Sequence, residues 1–283
     1  MDKKRYLVMS GGNTKGGYQA GAIKYFEEKG LTFDSIYGVS VGAVNALGWA
    51  YGDAEKLIGM WKSLKATSDI LKRESWWRFL FDLFPAYNMR PLQKKMEDYV
   101  DDEYSALKAK APRCRAVVSY VDLKDGSLKH ADNTQMSVEE FIKWVICSAS
   151  EPPLVKAFED RYLDGGLRDQ TPLKKAIDDG ADQIWVVLTS PFTQKMEEWK
   201  SEWPHTWNQA LRTLDIVLNE AFYNDIQRCL DYNKIPGKKE IDLRWIAPSV
   251  YFPSAFKVDP ARIVQAIDLG YQDAPKLLTG AKQ

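Results

Sequence analysis

The chain opens with a short apolar run, a glycine-rich turn and an amphipathic stretch, in that order. Residues 6–9 are apolar and predict a buried strand, and residues 18–29 repeat apolar positions at helical spacing until Gly30 ends the pattern. The same succession follows at once, with a strand predicted over 35–39 and a helix of small residues over 41–50. Two strand–helix units in succession predict a parallel sheet with right-handed crossovers.

The alternation of strands and helices continues toward the end of the chain. Three further strands are predicted, over residues 115–120, 183–188 and 242–247. Helical patterns lie beside them, over residues 54–64, 207–230 and 260–269. Asp125-Gly126 predicts a hairpin turn, and Ser137 with Glu140 forms a capping box that predicts a helix start. No repeat, low-complexity tract or flexible linker interrupts the pattern, so we predict a single α/β domain over residues 1–283.

Composition and charge exclude several classes of protein. The 283 residues include 39 basic and 39 acidic side chains, and this balance argues against a nucleic-acid-binding protein. No stretch approaches the roughly 18 apolar residues of a membrane span, and no signal peptide is recognisable. The three cysteines are widely spaced, which is typical of buried thiols rather than of a disulfide framework or a zinc site. These features predict a cytoplasmic protein.

A candidate nucleophile lies at the second predicted strand-to-helix turn, in Gly38-Val39-Ser40-Val41-Gly42. A serine on so sharp a turn adopts a strained backbone conformation, and side chains at the flanking positions would collide with the strand or the helix. Gly38 and Gly42 avoid that collision and would leave Ser40 exposed beyond the carboxyl end of the sheet. The alternative is a turn of small residues that only packs the helix closely on the strand.

The first strand-to-helix loop, Ser10-Gly11-Gly12-Asn13-Thr14-Lys15-Gly16-Gly17, predicts a site for an anion. Its backbone N–H groups would face either a bound phosphate or the oxyanion that develops during acyl transfer. Gly16 is not followed by the Lys-Ser/Thr of a P-loop, and Asn13 occupies the second glycine position of the dinucleotide fingerprint. An oxyanion hole therefore explains the loop better than a nucleotide site, and a plain tight turn is the remaining alternative.

Neither of the two histidines suits the base that a serine nucleophile requires. His130 ends a predicted hairpin strand and His205 lies in a tryptophan-rich stretch, so we interpret both as surface or structural residues. Asp164, in Tyr162-Leu163-Asp164-Gly165-Gly166, is a better candidate, because a partly desolvated carboxylate can accept the hydroxyl proton directly. An Asp-Gly turn without a catalytic role is the simpler alternative.

Together these motifs resemble the patatin-like phospholipase family. The resemblance is carried, in chain order, by Gly11-Gly12-x-x-Lys15-Gly16, Gly38-Val39-Ser40-Val41-Gly42 and Asp164-Gly165-Gly166. It extends to Tyr18-Gln19-Ala20-Gly21, Ala149-Ser150-Glu151-Pro152-Pro153 and Pro172. Three motifs in the right order are far more specific than any one of them, and they place the motif-bearing part of the chain at about residues 5–190.

The resemblance implies a three-layer α/β/α fold with a mainly parallel sheet, and hydrolysis of lipid acyl esters through an acyl-enzyme. It implies Ser40 as the nucleophile and Asp164 as the base, with neither a metal nor an organic cofactor. The oxyanion hole would be formed by backbone N–H groups of the loop, from Gly11, Gly12, Asn13 and Thr14. Lys15, Gly16, Gly38, Gly42, Gly165 and Gly166 match the supporting positions of the motifs.

The chain departs from the family pattern at two positions. Asn13 stands where the family usually has a third glycine, and its side chain could narrow the hole or add a donor, although asparagine tolerates left-handed backbone angles. Gln170 stands where the family often has an asparagine before x-Pro, which affects the support of the Asp164 loop.

The expected partner is a lipid or another acyl ester, and not a nucleic acid. The aromatic segment from Trp76 to Phe84 is a candidate lid or peripheral membrane contact, with a helix packed on the core as the alternative. The sequence leaves two other functions open. One is acyl transfer to an alcohol by the same dyad, and the other is lipid binding by a protein of this fold in which Asn13 blocks the hole.

Overall fold

A mixed, mainly parallel sheet forms the centre of the computed structural model. The structure describes residues 3–73, 87–101, 112–153, 155–193, 196, 198, 206–252 and 258–279. Its strands, numbered along the chain, are β1 (Arg5–Met9), β2 (Ser35–Gly38), β3 (Lys72–Arg73), β4 (Tyr87–Asn88), β5 (Arg115–Asp122), β6 (Ser127–Asp132), β7 (Tyr162–Asp164), β8 (Gln183–Val187) and β9 (Asp242–Ile246). Its helices are α1 (Gly17–Glu28), α2 (Val41–Tyr51), α3 (Ala54–Ser63), α4 (Arg90–Asp101), α5 (Val138–Ser148), α6 (Leu173–Asp178), α7 (Thr206–Tyr232) and α8 (Pro260–Asp273).

The strand order in the sheet is β6-β5-β2-β1-β8-β9. The four pairings from β5 to β9 in this order are parallel, whereas β6 and β7 both pair with β5 in the antiparallel direction. β2 pairs with the first half of β5, and β7 pairs with the second half, where Tyr120 lies opposite Asp164. β6 pairs with one edge of β5, and both β2 and β7 pair with the opposite edge. Because β2 and β7 run in opposite directions along that edge, their carboxyl ends face each other.

The side chains of the central strands alternate between two cores, as expected for a sheet covered on both faces. Leu7, Met9 and Ile36 pack in one core with residues of α1, α2, α3, α5 and α8. Tyr6, Val8 and Tyr37 pack in the other core with residues of α6 and α7. Helices thus cover both faces of the sheet, and the predicted α/β/α architecture is confirmed.

The predicted strands and helices of the first 64 residues are observed with ends that agree or shift by one residue. The hairpin at Asp125-Gly126 joins β5 to β6, and the Ser137 hydroxyl accepts a hydrogen bond from the Glu140 N–H at 3.2 Å at the start of α5. The periodicity did not lead us to predict α4, although Leu92, Met96 and Tyr99 follow helical spacing. Within the described residues, no helix combines the length and the apolar character needed to cross a membrane.

The aromatic segment from Trp76 to Phe84 lies outside the described residues. The chain on either side of it forms the antiparallel pair of β3 and β4, in which Lys72 lies opposite Asn88. The interpretation of that segment as a lid or membrane contact therefore stays a prediction.

Candidate active site

Ser40 and Asp164 lie next to each other because β2 and β7 end on the same edge of β5. Ser40 follows β2 by two residues, and Asp164 is the last residue of β7. The Ser40 side chain lies close enough to the Asp164 carboxyl to favour its ionised form and lower its pKa. Both side chains are buried, with exposed fractions of 5% for Ser40 and 3% for Asp164, so the expectation that the turn leaves Ser40 exposed is wrong. Residues separated by more than a hundred positions in the sequence thus form one pair.

The turn that carries Ser40 has the strained geometry expected of a nucleophile elbow. Ser40 has φ 54° and ψ −126°, outside the conformations that an L-residue readily adopts, and α2 begins at the next residue. A Cβ atom at Gly38 would overlap the carbonyl oxygen of Gly42, and one at Gly42 would overlap the carbonyl oxygen of Met9. The two glycines therefore allow strand and helix to approach closely enough to hold the serine in this conformation.

The carboxyl of Asp164 also caps the turn that comes after it. Its Oδ1 accepts a hydrogen bond from the Gly166 N–H at 2.7 Å, so the Asp-Gly turn considered in the sequence is present together with the contact to Ser40. Burial raises the pKa of Asp164 above the usual range for an aspartate, while the hydrogen bonds from Gly166 and Ser40 favour the carboxylate and lower it. A raised pKa suits a group that must take up a proton.

Ser148, at the end of α5, links the turn that carries Ser40 to strand β5. Its hydroxyl accepts a hydrogen bond from the Ser40 N–H at 3.0 Å and donates one to the Ser119 carbonyl at 2.6 Å. Ser148 is fully buried. Sequence reasoning did not identify this residue, because its partners lie 108 and 29 positions away.

Replacement of Ser148 by alanine should both destabilise the protein and reduce any activity of Ser40. The change leaves the buried Ser40 N–H and Ser119 carbonyl unpaired, which costs about 1–3 kcal/mol per group. Ser150→Ala is a matched control, since the Ser150 hydroxyl is also buried and, among the residues that the structure describes, donates to the Ile146 carbonyl in the last turn of α5. Denaturant unfolding and ester turnover should show a larger loss for Ser148→Ala. Equal effects of the two variants would contradict the supporting role.

The glycine-rich loop lies at the start of α1 and forms a short turn over Asn13–Gly16. The Gly11 N–H donates to the Gln170 carbonyl at 3.0 Å, and the Thr189 hydroxyl donates to the Gly11 carbonyl. The Lys15 ammonium donates to the Ser190 hydroxyl at 2.8 Å. Because Gly11 uses its N–H to bind Gln170, we restrict the proposed oxyanion hole to Gly12, Asn13 and Thr14.

A buried polar network lies under this loop. The Gln19 side-chain amide donates to the Ser10 carbonyl at 2.8 Å, and the Asn45 amide donates to the Gly16 carbonyl at 3.0 Å. Asn45 also donates to Gln19 at 2.8 Å and accepts from the Trp61 indole at 2.9 Å. The network ties α1, α2 and α3 to both ends of the loop. Gln19 belongs to one of the resembling motifs, whereas nothing in the local sequence marked Asn45.

An apolar pocket extends from Ser40 between α2, α3 and α4. Most of its lining is aliphatic or thioether side chains, with one tryptophan, and the glycine-rich loop contributes Asn13 and Thr14. The lining consists of Asn13, Thr14, Ser40, Val41, Val44, Met60, Trp61, Leu64, Ile70, Leu71, Met89, Leu92, Lys95 and Ala149. Ile70, Leu71 and Met89 flank the aromatic segment in the sequence. Such a lining is suited to a hydrocarbon chain next to the serine.

The histidines do not contribute to this site within the described residues. His130 is half-buried and lines a separate cavity together with Asp169 and Arg228. Burial, reinforced by the charge of Lys175, lowers the pKa of His130 to about 4. His205 lies outside the described residues.

Comparison with known proteins gives a family match over part of the chain. A family model described as patatin-like phospholipase matches residues 7–177. Lysophospholipase nte1 of Aspergillus terreus is 36% identical over 85 residues, which are 27% of this chain and 5% of that protein. The chain thus spans a small part of the length of this curated relative.

Two solved structures are similar to the chain at low sequence identity. VipD from Legionella pneumophila has a TM-score of 0.45 at 12% identity, covering 100% of this chain and 68% of that one. The type III effector protein ExoU has a TM-score of 0.42 at 11% identity, covering 98% and 53%.

The family match spans more than half of the 283 residues. It includes the glycine-rich loop, the elbow with Ser40 and the turn with Asp164. The chain therefore belongs to the patatin-like phospholipase family.

Proposed function

We propose that this chain hydrolyses lipid acyl esters through an acyl-enzyme on Ser40, with Asp164 as the general base. The observation that supports this most directly is the pairing of the Ser40 side chain with the buried Asp164 carboxyl beside an apolar pocket. A serine needs a base within hydrogen-bonding distance to become a nucleophile, and a carboxylate with a raised pKa can fill that role.

In the first half of the proposed reaction, Ser40 Oγ attacks the ester carbonyl carbon while Asp164 accepts the hydroxyl proton. The carbonyl oxygen becomes an oxyanion, which the N–H groups of Gly12, Asn13 and Thr14 stabilise as hydrogen-bond donors. The tetrahedral intermediate then breaks the bond to the alcohol, and Asp164 returns its proton to that leaving group. The product is acyl-Ser40 with Asp164 ionised again.

In the second half, water attacks the acyl carbon and Asp164 accepts a proton from the water. The new tetrahedral intermediate expels Ser40 Oγ, which takes the proton back from Asp164. The fatty acid leaves, and both side chains are regenerated. One carboxylate thus serves as base and acid in each half of the cycle.

The lining of the pocket supports an acyl chain as the group that Ser40 attacks. Val44, Leu64, Ile70 and Leu92 offer hydrocarbon contacts and no hydrogen bonds, so they favour an alkyl chain over a peptide or a sugar. The relative from Aspergillus terreus is named a lysophospholipase, and we propose lysophospholipids among the substrates on that basis.

A fluorophosphonate probe and a set of esters test the proposal together. We expect one covalent adduct per chain, located by peptide mass spectrometry on Ser40, and release of free fatty acid from short-chain esters and lysophospholipids. Inclusion of an alcohol separates hydrolysis from acyl transfer, since a transferase would form the new ester in place of the acid. Absence of an adduct and of turnover in folded protein would refute the hydrolase and leave lipid binding as the function.

The pH profile gives a further prediction. The base must be ionised, and burial raises the pKa of Asp164, so turnover should be lost as pH falls through a range well above that of an ordinary aspartate, about 3.9. The measurement is kcat/KM against pH with an uncharged ester, with unfolding followed at each pH. An acid limb at the pH of an ordinary aspartate would contradict the assignment of Asp164.

A further inference from the structure

Glu151 is a buried carboxyl group beside the proposed dyad, and the proposed reaction does not use it. It lies between α5 and β7, in the Ala149–Pro153 motif, and its exposed fraction is 6%. The Glu151 N–H donates to the Ala149 carbonyl at 3.1 Å, and its carbonyl accepts from the Val155 N–H at 3.1 Å. These bonds hold the backbone on both sides of its side chain.

The short segment from Ser148 to Glu151 contacts all three motifs of the site. Ser148 binds the Ser40 N–H, and the Ser150 carbonyl accepts from the Asp164 N–H at 3.1 Å. In the third contact, the Asn13 side chain lies close enough to the Glu151 carboxyl to favour its ionised form and lower its pKa. One segment therefore fixes the elbow, the base and the oxyanion loop relative to each other.

Asn13 is the residue at which the chain departs from the glycine of the family pattern. It has φ 53°, in the left-handed region that asparagine tolerates better than most residues. Its side chain is bound to Glu151. Asn13, which replaces the glycine of the family pattern, therefore interacts with a specific side chain, that of Glu151.

The charges around Glu151 disfavour its ionisation. Burial raises its pKa most, and the neighbouring Asp164 and Asp215 raise it further, while the hydrogen bond from Asn13 and the charge of Lys15 lower it. Asp164 has two donors of its own, the Gly166 N–H and Ser40, which favour its carboxylate form. Two neighbouring carboxyls lose their protons in separate steps, and the one whose carboxylate form is better stabilised by hydrogen-bond donors, here Asp164, ionises first.

We propose that Glu151 is a positioning residue for the oxyanion loop, which it holds through the side-chain amide of Asn13. The buried Glu151 carboxyl lies beside the Asp164 carboxyl and acts there as the neutral acid. This inference rests on the proposed function. Ionisation of Glu151 adds a negative charge beside Asp164 and near the forming oxyanion, and this repulsion raises the barrier to attack. In the active form of the site, the Glu151 and Asp164 carboxyl groups share one proton between them, and Glu151 carries it.

Glu151→Gln and Glu151→Ala separate the two parts of this proposal. Glutamine keeps the oxygen that accepts from Asn13 and cannot ionise, so kcat near neutral pH should stay within about threefold and the alkaline limb should move up by about one pH unit or more. Alanine removes the partner of Asn13, so kcat should fall by about 10- to 100-fold with little change in KM. Asp169→Asn is the matched control, since burial raises the pKa of Asp169 to about 7 in a different cavity, and its alkaline limb should match that of the native protein.

An alkaline limb that Glu151→Gln leaves in place would overturn the proposal, as would equal kcat values for the glutamine and alanine variants. Formation of the fluorophosphonate adduct distinguishes this failure from failure of the proposed hydrolase. A native protein that forms the adduct at neutral pH has a reactive Ser40, whatever the alkaline limb of its kcat profile shows.

Thermal unfolding supplies a readout that does not need turnover. A raised carboxyl pKa in the folded state makes the native protein lose stability as pH rises through that pKa, whereas Glu151→Gln has no proton to lose there. The stability of Glu151→Gln relative to native protein should therefore increase as pH rises from the ordinary pKa of a glutamate, about 4.3, to the raised pKa of the folded state, and should level off above it. Glu151→Ala and Asn13→Ala should also have non-additive effects on stability. A difference that is independent of pH, or additive effects of the two alanines, would refute the proposal even if no ester is hydrolysed.

Discussion

Replacement of Ser40 by alanine is expected to lower ester hydrolysis on the order of 10⁴- to 10⁶-fold and to abolish the fluorophosphonate adduct. The size of the loss follows from the role of Ser40, since without its oxygen no acyl-enzyme forms and only the oxyanion donors and substrate binding remain. Alanine adopts the left-handed conformation of position 40 about as poorly as serine does, so the midpoint of thermal unfolding should change little.

Ser119→Ala is the matched control for this experiment. Ser119 lies next to the site on β5 with an exposed fraction of 1%, and its hydroxyl has no hydrogen-bond partner among the residues that the structure describes. Its replacement removes a buried hydroxyl of the same size without touching Ser40. Labelling that persists in folded Ser40→Ala, or that disappears in Ser119→Ala, would show that Ser40 is not the nucleophile.

Asp164→Asn should reduce turnover by about 10³- to 10⁴-fold with the fold intact. The amide keeps the size of the carboxyl and an oxygen for the Gly166 N–H, but it cannot accept the proton of Ser40. The rate of adduct formation should fall as well, because the serine is no longer activated. The measurement is single-turnover kinetics with ester and probe, and Asp169→Asn, a buried aspartate away from Ser40, should keep kcat within about threefold of the native value.

Two further measurements, the turnover of a double variant and the pH dependence of stability, distinguish a catalytic base from a structural carboxyl at position 164. Groups that act as a unit are not additive, so the double variant with Ser40→Ala should be no slower than Ser40→Ala alone. The folded state binds the Asp164 proton more tightly than the unfolded chain does, so native stability falls as pH rises through the raised pKa. Asp164→Asn should therefore gain stability relative to native protein at alkaline pH. Retained turnover in folded Asp164→Asn would refute the assignment.

Most of the fold could be predicted because its signals are local. The runs that became β1 and β2 are short, apolar and followed by glycine, and the helices after them have apolar periodicity or defined ends. What could not be predicted is the position of β7, which is only three residues long and joins β5 beyond the end of β2. That placement depends on pairing across the sheet, which local patterns do not determine.

The same division applies to the site. Ser40, Asp164 and the glycine-rich loop each belong to a motif whose own residues are only a few positions apart, so the sequence alone identified them as candidates. Ser148 and Asn45 act through hydrogen bonds to distant backbone groups, and an isolated serine or asparagine in a helix has no distinguishing pattern. Glu151 was part of a motif, but its partner Asn13 was evident only once the loop was seen in three dimensions.

The pairing of β1 with β8 sets the size of the smallest unit that can hold the site. All five residues of β1 lie opposite β8, and Thr189, just after β8, binds the Gly11 carbonyl and offers its N–H to Ser10 at 3.1 Å. Both contacts lie beyond residue 177, where the family match ends. A fragment cut there would turn a central strand into an open edge and remove one anchor of the glycine-rich loop. The boundary of sequence similarity is therefore not a folding boundary.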